Sequence, residues 1–242
     1  MPDARRALVT GGTSGIGRAI AMALAQAGCR VTATGLTAAE VEAFGDSING
    51  GRGDLAARRL DVCDQQAVVA LCGEFDRLDV LVNCAGTILR DRREHDPDQF
   101  ARVIDVNLNG TMRVCSACRP LLAASRGCAV NTASMLSIFG SGHVPAYSAS
   151  KGGVVQLTKS LAIAWAAEGV RVNAIAPGWI ETPLTRPLIE HPQRNREIVE
   201  RTPLGRWGQP EDVAGAVVFL CSPAAAFITG VVLPVDGGYS IC

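Results

Sequence analysis

Net charge is absent from this chain. Lysine and arginine together number 23, and so do aspartate and glutamate, with no polybasic run, so nothing in it invites nucleic acid or an acidic surface as partner. No uninterrupted apolar stretch is long enough to span a bilayer, and no signal peptide precedes Arg5, which together point to a cytoplasmic protein with no membrane partner. The nine cysteines are an odd number, and many fall in apolar runs where a thiol acts as a small hydrophobe; reduced thiols are expected. Cys115-Ser-Ala-Cys118 has a redox or metal spacing, but it sits in a helical pattern and no second Cys/His pair matches it, so no metal site is expected. No internal repeat or linker divides the 242 residues, and a single domain spanning 1–242 is expected.

What is present is alternation. Short apolar runs at Ala7–Thr10, Val31–Thr34, a third ending in Arg59–Val62, then Val80–Val82, Ala129–Thr132, Val170–Ala176 and Val231–Val235 alternate with stretches of helical periodicity. Seven such strands separated by helices predict an α/β fold: a Rossmann-like, doubly wound, seven-stranded parallel sheet with helices on both faces and right-handed crossovers. After the first strand comes Thr10-Gly11-Gly12-Thr13-Ser14-Gly15-Ile16-Gly17, and Ile16, Ile20, Ala23, Leu24 and Ala27 then recur at helical spacing. Gly11, Gly15 and Gly17 in a strand–turn–helix let the turn tighten, let backbone approach a pyrophosphate and let helix pack on sheet, while the helix N-terminus offers free N–H groups.

The second constellation is Ala146-Tyr147-Ser148-Ala149-Ser150-Lys151, followed by Val154, Leu157, Leu161 and Trp165 at spacings of three and four. On a helix Tyr147 and Lys151 are i and i+4 and share a face. A phenol titrates near 10, and an ammonium held close lowers that value toward the range of a useful acid. Taken alone, Tyr-x-x-x-Lys is short and common on helices. Ser134, thirteen residues upstream at the end of the fifth strand, changes its weight, because ligands gather at the carboxyl ends of strands in open parallel sheets.

In these motifs and their order the chain resembles the short-chain dehydrogenase/reductase family, in its compact single-domain branch. The resemblance implies an NAD(P)-dependent oxidoreductase that interconverts a secondary alcohol and a ketone by hydride transfer. Tyr147 would then be the general acid/base, Ser134 the group orienting the substrate oxygen, and Lys151 both the modulator of the phenol and a donor to the nicotinamide ribose. Asn107, inside a helical pattern from about Asp98 to Leu122, would break that helix so that its carbonyl holds a water on a proton relay. Beside the glycines, Thr13, Ser14 and Ile16 would meet the pyrophosphate end, Gly35 and Leu36 the adenosine ribose, and Asp61 with the Val62 backbone the adenine. Asn83, Ala85 and Gly86 stand where the family usually has Asn-Asn-Ala-Gly; the second Asn is Cys84 here. Asn83 would mainly tie strands together. Pro177, Gly178, Ile180 and Thr182 would flank the nicotinamide.

The choice between NAD and NADP falls at the end of the second strand, where an acidic residue binds a ribose diol or a basic one nearby holds a 2′-phosphate. Aligned with the family, Gly35 occupies the acidic place and Ser14 the place often basic in NADP users. A phosphate without a cation suffers more than a diol without its carboxylate, so the reading leans to NAD, with Thr34, Thr37 and Arg52 as possible phosphate contacts.

Residues 183–209 turn polar and proline-rich, with Pro183, Pro187, Pro192 and Pro203, and their place after the nicotinamide segment suggests a substrate lid. The lid suits a small polar or polyol-like substrate, with Trp179 and His143 as contacts, whereas Phe139, Trp179 and Leu184 would suit a more apolar ketone. Asp236-Gly237-Gly238-Tyr239 resembles the family's tetramer-forming end, so a homotetramer is expected. A rival reading is a reductase of 3-ketoacyl groups on acyl carrier protein; two places basic in such enzymes hold Cys128 and Glu168, which argues against a carrier partner. A rival from another class is a non-catalytic, dinucleotide-binding regulatory protein, which Ser134, Tyr147 and Lys151 together argue against.

Overall fold

A computed structural model describes residues 4–48 and 54–242. Arg52 lies outside the described residues. Strands β1 (Arg6–Thr10), β2 (Arg30–Gly35), β3 (Leu55–Arg59), β4 (Val80–Asn83), β5 (Cys128–Thr132), β6 (Arg171–Pro177) and β7 (Val232–Val235) form one sheet in the order β3-β2-β1-β4-β5-β6-β7, every neighbouring pair parallel. The doubly wound sheet expected from the sequence is therefore present.

Helices α1 (Gly15–Gln26) and α2 (Ala38–Ile48) flank β2, and α3 (Gln65–Gly73) follows β3. Between β4 and β5 run α4 (Pro97–Ile104) and α5 (Gly110–Ser125); α6 (Pro145–Trp165) joins β5 to β6. The last connection holds α7 (Arg186–Ile189), α8 (Pro192–Arg201) and α9 (Pro210–Cys221). Side chains alternate across the sheet, so the strands read as continuous apolar runs because both faces are covered. Ala7, Val9, Val80, Val82 and Val130 pack with α1 and α9 on one face. Leu8, Leu81 and Ala129 pack with α3, α5 and α6 on the other. Leu8 and Leu81 are fully excluded from solvent, each worth about 1.5–3 kcal/mol of burial.

Two local differences from the sequence expectation have simple causes. The third strand stops at Arg59 rather than running to Val62, because the Asp61 carboxylate accepts the Cys63 N–H at 2.9 Å and turns the chain. The helical pattern around Asn107 is continuous from Pro97 to Ser125, but Asp105–Asn109 is wound as one π-helical turn between α4 and α5. Such single-turn bulges re-aim side chains within a helix and recur at functional sites.

Strand order reverses between β1 and β4, so the connections leaving these two strands diverge to opposite faces and open a crevice at their carboxyl ends. The Thr10 hydroxyl at the end of β1 accepts the N–H groups of Cys84 and Ala85 beyond β4, at 3.2 and 3.3 Å, which fixes the two rims relative to each other.

Candidate active site

The crevice is a cleft of about 670 Å³, within the usual range for small-molecule sites. One wall is the glycine-rich turn. Gly11 and Gly15 have φ of +62° and +49°, where a side chain is strained, and a Cβ on Gly17 would lie 2.1 Å from the Gly11 carbonyl oxygen. Ser14 at the head of α1 makes no side-chain cap, and the first turn holds no acidic residue. The helix thus points free N–H groups and the positive end of its dipole into the cleft, a place fitted for pyrophosphate. Thr13, Ser14, Ile16, Gly35, Leu36, Asp61, Val62, Ala85 and Gly86 line the same cleft, as the resemblance implied. Asn83 does not; its Nδ2 donates to Asn131 Oδ1 at 2.9 Å and ties β4 to β5 behind the cleft, the structural role anticipated for it. Cys84 lines the cleft in place of the family asparagine, and burial pushes its thiol pKa up.

At the inner end stand Tyr147 and Lys151, one turn apart on α6, with Lys151 Nζ 5.6 Å from the centre of the Tyr147 ring. Ser134 caps the turn after β5, its Oγ accepting the Leu136 N–H at 3.1 Å, and its hydroxyl reaches the phenol of Tyr147 closely enough to favour the phenolate. The three sequence candidates are therefore gathered.

Their electrostatics differ from the expectation that Lys151 would dominate. Desolvation comes first for Tyr147 and pushes its pKa up to about 12, with the Ser134 hydrogen bond and the Arg90 charge pulling it down and Cys84 and Glu94 adding to the rise. Lys151 is itself drawn down to about 8 by burial, and its ammonium donates to the Thr132 carbonyl at 2.7 Å. A buried ammonium that is easily neutralised stabilises a phenolate less than a permanent charge would.

Asn107 is fully buried in the π-helical turn. Its Oδ1 accepts the Thr87 N–H at 2.7 Å, its Nδ2 donates to the Thr87 carbonyl and to Ser150 Oγ, and its own carbonyl accepts from the Thr111 hydroxyl. The side chain clamps the loop after β4 onto α6.

The nicotinamide segment divides. Thr182, with Pro183 and Leu184, lines the cleft, and Thr182 Cγ2 comes within 3.4 Å of where a Cβ on Gly15 would sit. Trp179 and Ile180 instead border a separate cavity of about 540 Å³ with residues around β7, while Gly178 packs against Asp236 too closely to carry a Cβ. Pro177 ends β6 behind them. Trp179 sits edge-on to Trp207 and Tyr239 in an aromatic cluster. His143 is exposed on its loop. The segment 183–209 contains α7 and α8, and the Leu184 carbonyl accepts from Arg90 at 2.8 Å.

Glu40, Arg90 and Glu94 were not singled out from the sequence. Glu40 lines the cleft beside Gly35 and Leu36 and accepts the N–H groups of Leu36 and Thr37 at 2.8 and 3.2 Å. Its signal was there, a Thr-x-x-Glu capping box at the head of α2. Arg90 and Glu94 lie in a polar stretch with no periodicity to mark them.

Among the described residues no cluster of His, Cys, Asp and Glu could hold a metal ion, and no helix is long and apolar enough to cross a membrane.

A doubly wound sheet with a glycine cradle at its switch point and Ser, Tyr and Lys at the inner end defines a dinucleotide-dependent oxidoreductase. A family model described as enoyl-(acyl carrier protein) reductase matches residues 11–240. The chain is 41% identical over 251 residues to 2-dehydro-3-deoxy-D-gluconate 5-dehydrogenase of Pseudoalteromonas atlantica, covering 98% of this chain and 96% of that one. It is 40% identical to D-threitol dehydrogenase of Mycolicibacterium smegmatis, covering 99% and 94%. Among solved structures, a gluconate 5-dehydrogenase from Burkholderia cenocepacia in complex with NADP and tartrate superposes with a TM-score of 0.91 at 34% identity, covering 99% and 96%. The chain belongs to the short-chain dehydrogenase/reductase family. It is an oxidoreductase acting on CH–OH groups of a small molecule with a nicotinamide dinucleotide.

Proposed function

We propose that the protein oxidises a small polyol or sugar acid at a secondary hydroxyl, or reduces the matching ketone, with Ser134, Tyr147 and Lys151 as its catalytic residues. The observation that carries this reading is that Tyr147 and Lys151 line a cleft shared with a glycine cradle at an uncapped helix, with Ser134 acting on the Tyr147 phenol. The nicotinamide supplies the hydride acceptor or donor. Tyr147 gives a proton to the carbonyl oxygen in reduction and takes one from the hydroxyl in oxidation, and Ser134 orients that oxygen. Lys151 holds the nicotinamide ribose. Burial pushes the phenol pKa up to about 12, so it is protonated at neutral pH, and oxidation is expected to quicken as pH rises. Asn107 serves by keeping the loop after β4 on α6.

The substrate class rests on Arg90. Its guanidinium is close enough to act on Tyr147, donates to the Leu184 carbonyl, and forms no ion pair among the described residues. A cation at that place suits a substrate with a carboxylate, and the relatives include both sugar-acid and polyol dehydrogenases. Residues 183–209 act as the lid, which the cleft-lining Pro183 and Leu184 support. NAD is the preferred cofactor: Glu40 places a carboxylate on the amides that a 2′-phosphate would take, while Arg59 Nε, donating to the Leu36 carbonyl at 3.2 Å, is the nearby cation that opposes it. The acyl-carrier reading is disfavoured, since Cys128 is buried and Glu168 is paired with Arg119. A cytoplasmic homotetramer fits the exposed Ile163 and Phe227, which are large apolar side chains without cover in a single chain.

The test is a cofactor-resolved screen of purified protein against polyols, sugar acids, hydroxyacids and secondary alcohols, with the reduced cofactors against the matching ketones. Turnover with NAD and a sugar acid or polyol is expected. Silence across the panel despite tight cofactor binding would overturn the catalytic reading in favour of a regulatory one.

A further inference from the structure

Glu94 is the most deeply buried acid of the described residues, with no exposed surface, in the loop between β4 and α4. No cation pairs with it among the described residues. Its two carboxylate oxygens are each taken by a backbone amide: Oε1 accepts the Leu89 N–H and Oε2 the Tyr147 N–H, both at 2.8 Å. Burying a carboxylate without a counter-ion is costly, and a chain keeps one where its hydrogen bonds hold something in place.

What it holds is the head of α6. Tyr147 is the third residue of that helix, so its N–H has no partner within the helix, and the N-cap, Val144, has no side-chain oxygen to offer. Glu94 supplies the missing cap from 53 residues away, where the helix dipole also favours a negative charge. The carbonyl of the same residue is held too. Ser150 Oγ donates to the Tyr147 carbonyl at 2.7 Å and accepts from Asn107 Nδ2 at 3.0 Å, and Asn107 grips Thr87. Both backbone groups of Tyr147 are thus tied to one loop, residues 87–95, through Glu94 at one side and through Ser150 and Asn107 at the other. The loop is bent to reach: Asp91 and Arg92 carry φ of +58° and +59°, unfavourable for residues with side chains.

We infer that Glu94 is the positioning residue of Tyr147, a carboxylate cap donated by the loop over the active site that fixes where the phenol stands. The inference rests on the reading of Tyr147 as the acid/base. A second consequence is electrostatic: the charge of Glu94 opposes the phenolate, as does Cys84 beyond β4, while Arg90 on the same loop and Ser134 after β5 favour it and Lys151 stands one turn along α6. Removing the Glu94 charge therefore makes the phenol ionise at lower pH.

The test compares Glu94→Gln, Glu94→Ala and Tyr147→Phe in kcat, in KM for cofactor and substrate, and in the pH dependence of oxidation. Glu94→Ala is expected to lower kcat roughly 10- to 100-fold, the cost of a misplaced catalytic group, with cofactor KM little changed. Glu94→Gln keeps the shape, retains part of the rate, and moves the rising limb of the oxidation profile to lower pH, which a purely structural role would not do. Amide exchange of the unaltered protein gives an independent check, since the Tyr147 N–H should exchange as slowly as amides deep in α6. An unshifted profile with full kcat in Glu94→Gln, or a Tyr147 amide exchanging like a free helix end, overturns the inference. Should the Glu94 variants fail to fold, the exchange rate decides. A dead Tyr147→Phe beside a normal Glu94→Gln removes this inference alone, whereas an active Tyr147→Phe removes the acid/base reading beneath it.

Discussion

Two helices begin at the same edge of the sheet, and their first turns are finished in opposite ways. At α1 the chain leaves the N–H groups bare: Ser14 makes no side-chain cap, no acid stands in the first turn, and glycines keep the approach clear. At α6 it also provides no local cap, but a buried carboxylate from a distant loop is seated on the third amide. Both ends attract an anion for the same reason. In the proposed function the first is left for a ligand's phosphates, and so it must stay open and exchangeable. The second is closed by the protein's own anion, so the side chain it carries stays fixed through turnover.

The comparison breaks most severely at the closed end if the side chain it fixes is removed. Tyr147→Phe keeps the helix, the Glu94 contact and the packing, and loses only the hydroxyl; turnover should fall by roughly 10²- to 10⁴-fold while cofactor titration stays near that of the unaltered protein. At the open end the matching test is Gly17→Ala. The new Cβ would meet the Gly11 carbonyl oxygen, so the turn must shift, and cofactor Kd should rise by about tenfold or more with kcat at saturating cofactor less affected. Together the two variants separate an end that binds from an end that reacts. Equal effects of both on cofactor Kd would erase the distinction.

A third test uses pH. Lys151 is drawn down by burial to about 8 from an ordinary value near 10.5, so the folded protein sheds this proton before the unfolded chain does. Between those values the unfolded state holds more protons, and stability should rise with pH, starting near 8. Tyr147 acts the other way at higher pH: its value of about 12 lies above the ordinary 10, so stability falls again above about 10. In Lys151→Met the rise between pH 8 and 10 should vanish, a difference of up to about 3 kcal/mol read from chemical unfolding at several pH values. Parallel curves for the two proteins would mean that the ammonium is better solvated than its position indicates.

The open end was legible in the sequence, and the closed end only in half. Glycines between an apolar strand and a periodic helix announce a bare helix N-terminus because the signal is local: Gly11, Gly15 and Gly17 are needed for reasons that involve their own backbone. Tyr147 and Lys151 were legible for a similar reason, since one helical turn relates them. The cap of α6 was not, because Glu94 is joined to Tyr147 only by the fold, and a glutamate among Arg90, Asp91, Arg92 and Arg93 reads as one more surface charge. The surroundings of Trp179 were hidden in the same way: its aromatic contacts with Trp207 and Tyr239 come from later segments and are joined to it only by the fold. The raised pKa of Tyr147 likewise depends on burial by residues from other segments, which spacing along the chain does not report.

The smallest effect should come at the adenosine end of the open cleft. Glu40 is exposed, and its carboxylate is bound to the amides of Leu36 and Thr37 as the partner of a capping box. Glu40→Gln preserves one acceptor and most of the cap, so helix stability should change little, by about 0.5 kcal/mol. It removes the negative charge beside Leu36 and Thr37, leaving Arg59, whose Nε donates to the Leu36 carbonyl, as a cation at that end. Exposed charges are screened, so the ratio of kcat/KM for NADP to that for NAD should rise only by about threefold to tenfold, and more at low salt than at high. A ratio that does not move, or that already favours NADP in the unaltered protein, would mean that Glu40 serves α2 alone and that Arg59 governs the choice of cofactor.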